Sequence, residues 1–436
     1  MTSQPSLPAL PVSELRRRLA SGALSAVDLT EACLARIEAR ESEIGAWAWI
    51  DPAAARAQAD RLDRMRRGGA SLGPLHGLPV GVKDVIDTQG IPTENGCPVD
   101  AGRVPGKSAT VVDRLQAAGA VMLGKTVTTE LAFMHPGKTR NPWNLGHSPG
   151  GSSSGSAAAV ADAMVPLAIG TQTGGSVIRP ASFCGVTGYK PSFNAIPRAG
   201  VLMQSHSLDT VGVFARDPLG AAILAEALAD APAGDGLVAA AVWPPARPPR
   251  FAFVPVPDWE MADPALQERL TALCASLGDA VEPATLPECF EDVTQQRAII
   301  NTAEMGHYYR RYLAEGADRL GPPTREAIAE GQGLPAGPYV AALALQQALA
   351  PSLAPLFERY DALIVPAALG PAPEGLTSTG DSRFNGLWTM AGTPAVTLPL
   401  LSAPDDLPLG VQLVGPVGGD AGLLRAASWL WAWAQR

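Results

Sequence analysis

The chain has 436 residues, of which 47% are hydrophobic and 17% are charged, and its formal net charge at pH 7 is -9. A chain of this length and composition can bury a large core, as one big domain or as two closely packed ones. The negative charge argues against nucleic acid or an anionic membrane surface as the main partner.

The first 70 residues are predicted to form a helical flank. A capping box at Ser25 opens a helix that runs through Arg40, and Asp51 followed by proline opens a second helix. No apolar run follows the three arginines at 16–18 to make a signal peptide, and no run approaches the length of a membrane span. We therefore expect a cytoplasmic protein.

From Leu78 onward, short apolar runs alternate with alanine-rich segments, and this alternation indicates an α/β architecture. The elements predicted in chain order are a strand at 78–87, a helix at 108–118, a strand at 120–123, a helix at 153–163, strands at 165–169, 362–365 and 409–414, and a final helix at 420–434. The stretch 231–250 is predicted to be a surface connection outside the core, and 258–360 to be mostly helical.

Two motif matches near the centre of the chain compete with each other. Residues 119–126 satisfy the phosphate-loop pattern GxxxxGK[ST], but the four intervening residues are the predicted strand and not a turn whose amides cradle phosphate. Residues 151–155 satisfy the nucleophile-elbow pattern GxSxG with Ser153 at the centre, but turn-rich polar residues precede it where an elbow requires a strand. A hydrolase that uses Ser153 with His206 or His307 stays open as an alternative.

Three segments taken together point to different chemistry. Residues 149–156 (Pro-Gly-Gly-Ser-Ser-Ser-Gly-Ser) and 170–176 (Gly-Thr-Gln-Thr-Gly-Gly-Ser) are two serine-glycine loops, and Lys83 lies upstream in a strand-like run. A serine hydroxyl needs a base before it can attack an amide, and a lysine can be that base if its surroundings keep it neutral. In this order the segments resemble the amidase signature family, densely from about 76 to 220 and again from about 383 to the end.

The resemblance implies a large mixed β-sheet core covered by helices, an α/β fold with a single amidase domain over 1–436. Its parts would be the helical flank 1–70, a signature core 76–220, a more variable helical region 251–360 and a return to the core at 361–436.

Carried over by motif, Ser176 is implied to be the nucleophile, Ser152 a bridging serine and Lys83 the terminal base. A lysine with an ordinary pKa of about 10.4 is almost fully protonated at pH 7. Burial among Val80 and Val82 would lower the pKa of Lys83 by disfavouring the charged form. Lys83 would then accept a proton from Ser152, and Ser152 one from Ser176.

The second loop is also predicted to stabilise the oxyanion of the tetrahedral intermediate. Consecutive backbone amides can form a concave nest there, because glycines permit an approach that side chains would block. The residues assigned to this oxyanion hole are Thr173, Gly174, Gly175 and Ser176.

Four side chains are predicted to contact the substrate: Arg179, Gln172, Met134 and Trp388. Gln172 stands where many family members have Asp, and Arg179 stands three residues after Ser176 where a common version has the arginine two after. If Ser176 opens a helix, a residue three positions on shares its face, so Arg179 would hold a carboxylate of the substrate. Pro180 biases Arg179 away from helical geometry, and pairing with a protein carboxylate is the alternative.

The sequence therefore predicts a serine amidohydrolase that cleaves a small carboxamide through an acyl-enzyme and releases ammonia or an amine, without metal or organic cofactor. A second hypothesis is a glutaminase-like chain that resembles the ammonia-producing member of a tRNA-dependent amidotransferase complex, against which the departures at Gln172 and Arg179 count. A third is an inactive scaffold homologue, which intact Lys83, Ser152 and Ser176 oppose. The expected partner is a small-molecule amide, with no nucleic acid and no membrane, and a homodimer is a further expectation.

Overall fold

In the computed structural model, which describes residues 6–230, 236–242 and 245–436, eleven strands form one mixed β-sheet. The strands are β1 (Trp47–Ile50), β2 (Pro79–Lys83), β3 (Val121–Thr126), β4 (Leu167–Gln172), β5 (Thr187–Lys190), β6 (Thr210–Ala215), β7 (Phe251–Phe253), β8 (Val281–Pro283), β9 (Ala362–Pro366), β10 (Ala395–Ser402) and β11 (Pro408–Val414). Their order in the sheet is β1-β3-β2-β4-β6-β5-β10-β11-β9-β7-β8. β2 runs parallel to both of its neighbours, whereas β4 and β6 are antiparallel. The predicted mixed sheet is confirmed.

Helices fill the intervals between the strands. They are α1 (Val12–Ser21), α2 (Ala26–Ile44), α3 (Pro52–Arg67), α4 (Thr110–Ala117), α5 (Ser154–Ala161), α6 (Ile178–Cys184), α7 (Pro218–Leu228), α8 (Leu237–Val242), α9 (Pro264–Ser276), α10 (Val293–Tyr308), α11 (Arg310–Gly316), α12 (Pro322–Gly333), α13 (Ala336–Ser352), α14 (Ala354–Phe357), α15 (Arg383–Met390) and α16 (Asp420–Ala434). The longest interval without a strand runs from β8 to β9 and contains α10 to α14.

The caps predicted for the N-terminal helices are present. The Ser25 hydroxyl accepts a hydrogen bond from the Asp28 amide at 2.9 Å, and α2 continues past Arg40 to its end. The Asp51 carboxylate accepts one from the Ala54 amide at 2.9 Å at the start of α3. Each such cap contributes about 1 kcal/mol by satisfying an amide that the helix leaves unpaired. Short sequence signals therefore define where these helices begin.

β2 is shorter than predicted and ends at Lys83. The Ile86 amide donates a hydrogen bond to the Lys83 carbonyl at 3.1 Å, which turns the chain after the strand. β2 and β4 are parallel neighbours with Val82 opposite Ile169, so their carboxyl ends meet at the same edge of the sheet. This edge places Lys83 beside Thr171.

The prediction that 231–250 contributes nothing to the core is wrong for α8. Leu237 and Ala240 are buried in that helix, which packs against α7 and α16. A short apolar segment inside a Pro-rich stretch can thus still join the core. Residues 231–235 and 243–244 lie outside the described residues.

One helical stretch does reach the length of a membrane span, contrary to the prediction. Ala336–Phe357 has that length with a hydropathy of 1.4, and 17% of it is buried. Length and composition alone are weak evidence for a span, because soluble core helices and signal sequences pass the same test. Tyr339 and Gln346 in this stretch donate hydrogen bonds to Glu304 and to the Ser207 carbonyl at 2.8 and 3.0 Å, which attach it to the rest of the protein.

Candidate active site

The two serine-glycine loops lie against each other at the carboxyl ends of β2 and β4. The Ser153 amide donates a hydrogen bond to the Ser176 carbonyl at 3.4 Å. The Ser153 hydroxyl donates to the Thr171 carbonyl at 3.1 Å and accepts from the Thr171 amide at 3.3 Å. Ser153 therefore holds the first loop on the second, and its hydroxyl is engaged by the backbone of β4.

Lys83 is fully buried between these loops, and its ammonium position faces two hydroxyl groups. Lys83 Nζ lies 2.7 Å from Ser152 Oγ and 2.8 Å from Thr171 Oγ1. Within the described part of the chain it makes no ion pair and no hydrogen bond to a carbonyl. Burial lowers the pKa of Lys83 to about 7, and the negative charge of Asp209 opposes this effect. A lysine with this pKa is neutral often enough at pH 7 to accept a proton.

A buried carboxylate, Asp209, supports the same region. It accepts hydrogen bonds from the Thr173 hydroxyl at 2.6 Å and from the Gln204 and Ser205 amides at 2.8 and 3.0 Å. Burial raises the pKa of Asp209 to about 6, and these hydrogen bonds oppose the rise. Asp209 thus anchors the second loop and supplies a negative charge near Lys83.

Ser176 lies in the turn before α6 and is 8% exposed. Among the hydrogen bonds of the described residues, none uses its hydroxyl or the amides of Gly174, Gly175 and Ser176, and none joins Ser176 to the Ser152 hydroxyl. A Cβ atom on Gly175 would lie 2.3 Å from Asn385 Oδ1, so only glycine fits there. The loop therefore presents a free hydroxyl and free amide donors.

Gln172 supports the second loop from behind. Its Oε1 accepts hydrogen bonds from the Val177 and Ile178 amides at 2.8 and 3.0 Å, and its Nε2 donates to Thr389 Oγ1 at 3.0 Å. The Thr389 hydroxyl in turn donates to the Gly174 carbonyl at 2.7 Å. The side chain of Gln172 is thus engaged by the protein at the start of α6.

Arg179 connects the first loop to a distant segment. Its Nη2 donates to the Gly151 carbonyl at 2.7 Å and to Thr379 Oγ1 at 3.2 Å, and its Nε is buried without a partner. The alternative of a paired protein carboxylate is not seen within the described residues. Burial lowers the pKa of Arg179 to about 10, with Asp381 opposing and Arg297 adding to the shift.

The other two predicted substrate contacts lie in very different surroundings. Trp388 is fully buried, with its ring centroid 5.8 Å from that of Phe290 in the apolar cluster that contains residues of α10 and α15. Met134 is 59% exposed. Trp388 therefore has no surface to offer a ligand in this conformation.

The lysine of the phosphate-loop match is committed to structure. Lys125 lies inside β3, donates to Thr93 Oγ1 at 2.8 Å and to the Ile86 carbonyl, and lies 3.8 Å from Asp84 Oδ1. The preceding residues form the strand and not a turn, so this segment cannot cradle a phosphate.

Sequence reasoning assigned no role to Thr171, Asp209 or Asn385, all of which contact the site. Thr171 lies within the quoted loop, but its contact with Lys83 depends on β2 and β4 being neighbours. Asp209 reaches Thr173 because β6 pairs with β4, with Thr210 opposite Gln172. No spacing along the chain predicts that pairing.

Comparison with known proteins agrees with this geometry. The family model described as Amidase matches residues 28–424. The chain belongs to the amidase family. One curated relative of this amidase, a glutamyl-tRNA(Gln) amidotransferase subunit from Chloroflexus aggregans, is 35% identical over 463 residues, which cover 95% of this chain and 94% of the relative.

Solved structures of related proteins share the fold of this amidase over nearly its whole length. The native peptide amidase from Stenotrophomonas maltophilia is 29% identical with a TM-score of 0.85, covering 99% of this chain and 98% of its own. A structure described as an unexpected vestigial protein complex that reveals the origins of an s-triazine catabolic enzyme is 30% identical with a TM-score of 0.90, covering 97% and 98%. The amidase is therefore a hydrolase of carbon-nitrogen bonds other than peptide bonds.

Proposed function

We propose that this amidase hydrolyses a small carboxamide through an acyl-enzyme on Ser176 and releases ammonia or an amine. The observation that carries the proposal is the 2.7 Å contact between Lys83 Nζ and Ser152 Oγ at a fully buried lysine. An ammonium group there has only hydroxyl acceptors and no carboxylate or carbonyl among the described residues, so the neutral amine is favoured. Lys83 is therefore suited to act as a base.

In the proposed acylation step, Ser176 Oγ attacks the carbonyl carbon of the amide. The proton of Ser176 moves to Ser152 Oγ while the proton of Ser152 moves to the lone pair of Lys83 Nζ. The hydrogen bond between Ser152 and Ser176 would form with substrate bound, since such contacts are often loose in a free enzyme. Collapse of the intermediate breaks the C–N bond, and the proton returns through Ser152 to the leaving nitrogen. Water then cleaves the acyl ester by the same relay.

The proposed oxyanion hole uses the backbone of the second loop, Thr173 to Ser176. Amide donors without protein acceptors in the described residues, at Gly174, Gly175 and Ser176, support this role, because preorganised donors stabilise the developing charge without reorganisation. Gln172 and Asp209 hold the loop that carries these amides. We therefore assign Gln172 a supporting role in place of the predicted contact with substrate.

A glutaminase-like member of a tRNA-dependent amidotransferase complex is the second candidate. It is favoured by curated relatives named as glutamyl-tRNA(Gln) amidotransferase chains, at 35% identity over 95% of this chain. The same Lys83, Ser152 and Ser176 chemistry would then release ammonia from glutamine for a partner protein. The third candidate is a catalytically inactive scaffold, and the free Ser176 hydroxyl counts against it.

We further propose that the amidase is cytoplasmic and acts as a homodimer on a small-molecule amide, without a nucleic-acid or membrane partner of its own. The net charge of -9 supports the first exclusion, because the surface as a whole repels polyanions.

Ammonia release separates a free hydrolase from a partner-dependent one. The purified chain alone would be assayed on small amides, ureides and glutamine. We expect turnover of at least one small amide. Turnover restricted to glutamine, and only after addition of partner proteins, would support the amidotransferase hypothesis instead.

Covalent labelling tests the assignment of the nucleophile independently of the substrate. A fluorophosphonate probe followed by peptide mapping should place the adduct on Ser176. The label should disappear in Ser176→Ala and persist in Ser153→Ala, which is the matched control from the first loop. An adduct on Ser153 would refute the proposal in favour of the nucleophile-elbow hypothesis, and no adduct at all would favour the inactive homologue.

A further inference from the structure

Arg297 on α10 reaches the loop that carries Ser176 from the region 251–360, which sequence motifs leave almost unassigned. A Cβ atom on Gly174 would lie 3.1 Å from Arg297 Nη1, and one on Gly386 would lie 2.3 Å from Arg297 Nε. The guanidinium group is therefore wedged between the loop and α15. The absence of side chains at these two glycines makes room for it.

This guanidinium group has no partner among the described residues. Arg297 makes neither a hydrogen bond nor an ion pair there, and its Nε atom is fully buried. The nearest carboxylate that acts on its charge is Asp381, which is itself bound by Arg383 at 2.9 and 3.0 Å. A buried guanidinium without an acceptor is costly, because arginine stays charged and leaves its donors unsatisfied.

A second buried arginine lies close enough to feel the charge of Arg297. Arg179 and Arg297 each disfavour the other's charge, and burial lowers the pKa of both. Nη2 of Arg179 is occupied by the Gly151 carbonyl and Thr379, so Arg179 mainly holds the first loop in place. The two side chains together make this side of the Ser176 loop electropositive.

We propose that Arg297 binds a carboxylate group of the substrate and thereby makes the amidase specific for amide acids. This inference rests on the proposed hydrolysis at Ser176. The planar fork of one guanidinium matches a carboxylate through two parallel hydrogen bonds. A carboxylate held at Arg297, against Gly174, orients the scissile amide over Ser176, and this positioning raises the rate as well as the affinity.

Matched substrate pairs test the specificity. Malonamic, succinamic and glutaramic acids carry an amide and a carboxylate, and their diamides replace the carboxylate with a neutral group of similar shape. The wild-type chain should prefer at least one acid over its diamide. Arg297→Gln should reduce kcat/KM for that acid by about 10- to 100-fold, as expected for a charged hydrogen bond, and by less than about 3-fold for the diamide. Arg297→Lys should restore part of the loss.

The exposed Arg269 on α9 provides the control, because Arg269→Gln makes the same change of charge away from the site. This variant should keep the wild-type preference. Equal losses on acid and diamide in Arg297→Gln, with an unchanged melting temperature, would overturn the proposal, as would a wild-type preference for the diamides.

A binding measurement separates failure of this inference from failure of the proposed function. Malonate, succinate, glutarate or inorganic phosphate would be added before fluorophosphonate labelling of Ser176. Protection by one of the dicarboxylates in the wild type, lost in Arg297→Gln and kept in Arg269→Gln, would support the carboxylate site even if no amide is turned over. Protection by phosphate alone, or by none of these anions, would refute it.

Discussion

The surroundings of Lys83 and Lys125 differ although both lysines are fully buried on neighbouring parallel strands. Lys125 has the partners of a structural ammonium group: the Ile86 carbonyl, the Thr93 hydroxyl at 2.8 Å and the Asp84 carboxylate at 3.8 Å. Within the described residues, Lys83 has two hydroxyl groups only, at 2.7 and 2.8 Å.

This difference separates a lysine that stabilises the fold from one that is poised for proton transfer. A carboxylate and a carbonyl hold the ammonium form, because they accept hydrogen bonds and cannot donate them. A hydroxyl group can reverse its hydrogen bond and donate its proton to a neutral amine. Burial alone therefore does not distinguish the two roles, and the chemical type of the acceptors does.

Replacement of each lysine with methionine should give the largest contrast. Lys83→Met should reduce kcat/KM by about 10²- to 10⁴-fold, the contribution expected of a general base, with little loss of stability. Lys125→Met should instead lower the free energy of unfolding by about 3–5 kcal/mol, because it leaves Asp84 buried without its cation. Ammonia-release kinetics and urea unfolding of both variants measure the two effects.

Methionine keeps the apolar stem of each lysine, so each variant serves as the control for the other. If Lys83→Met keeps wild-type turnover, the proposed relay is wrong. If the two variants lose stability equally, the comparison of their partners has no energetic content.

Removal of the hydroxyl partner of Lys83 should have a smaller effect. Ser152→Ala should lower kcat by about 10²-fold or less, because a water molecule can occupy the place of the hydroxyl group and carry the proton. Ser154→Ala in the same loop, whose hydroxyl donates to the Val127 carbonyl at 3.3 Å, should change kcat by less than about 3-fold. A loss in Ser152→Ala that exceeds that of Lys83→Met would contradict the order of the relay.

The smallest expected effect is a shift of the pH profile. Activity should rise with pH through the pKa of Lys83, at about 7, because only the neutral amine accepts a proton. Asp209 raises that pKa by favouring the ammonium form, so Asp209→Asn should move the acidic limb of kcat/KM to lower pH.

The same change at Asp51, which caps α3 in the N-terminal flank, should leave the limb in place because asparagine also caps helices. A limb that stays unchanged or moves to higher pH in Asp209→Asn would show that the carboxylate does not tune Lys83.

The sequence by itself determined the local features and the identity of the chemistry. The caps at Ser25 and Asp51 depend on residues three positions apart, and the fold class follows from the alternation of apolar runs with helical segments. The two serine-glycine loops and Lys83 could be recognised because each loop is a continuous run of residues whose order along the chain is characteristic. The amidase family could be predicted from these runs alone.

Only the tertiary structure decided which groups surround those residues. The contact of Lys83 with Thr171 and that of Thr173 with Asp209 depend on the order of β2, β4 and β6, and residue spacing within one strand does not reveal its neighbours.

Helical spacing from Ser176 placed Arg179 toward the pocket, but α6 begins at Ile178 and not at Ser176, so that face could not be derived from the sequence. Pro180 falls in the first turn of α6, where proline is tolerated. Arg297 approaches Gly174 across a distance in the chain that carries no pattern, because the physical cause of its position is the packing of α10 against α15.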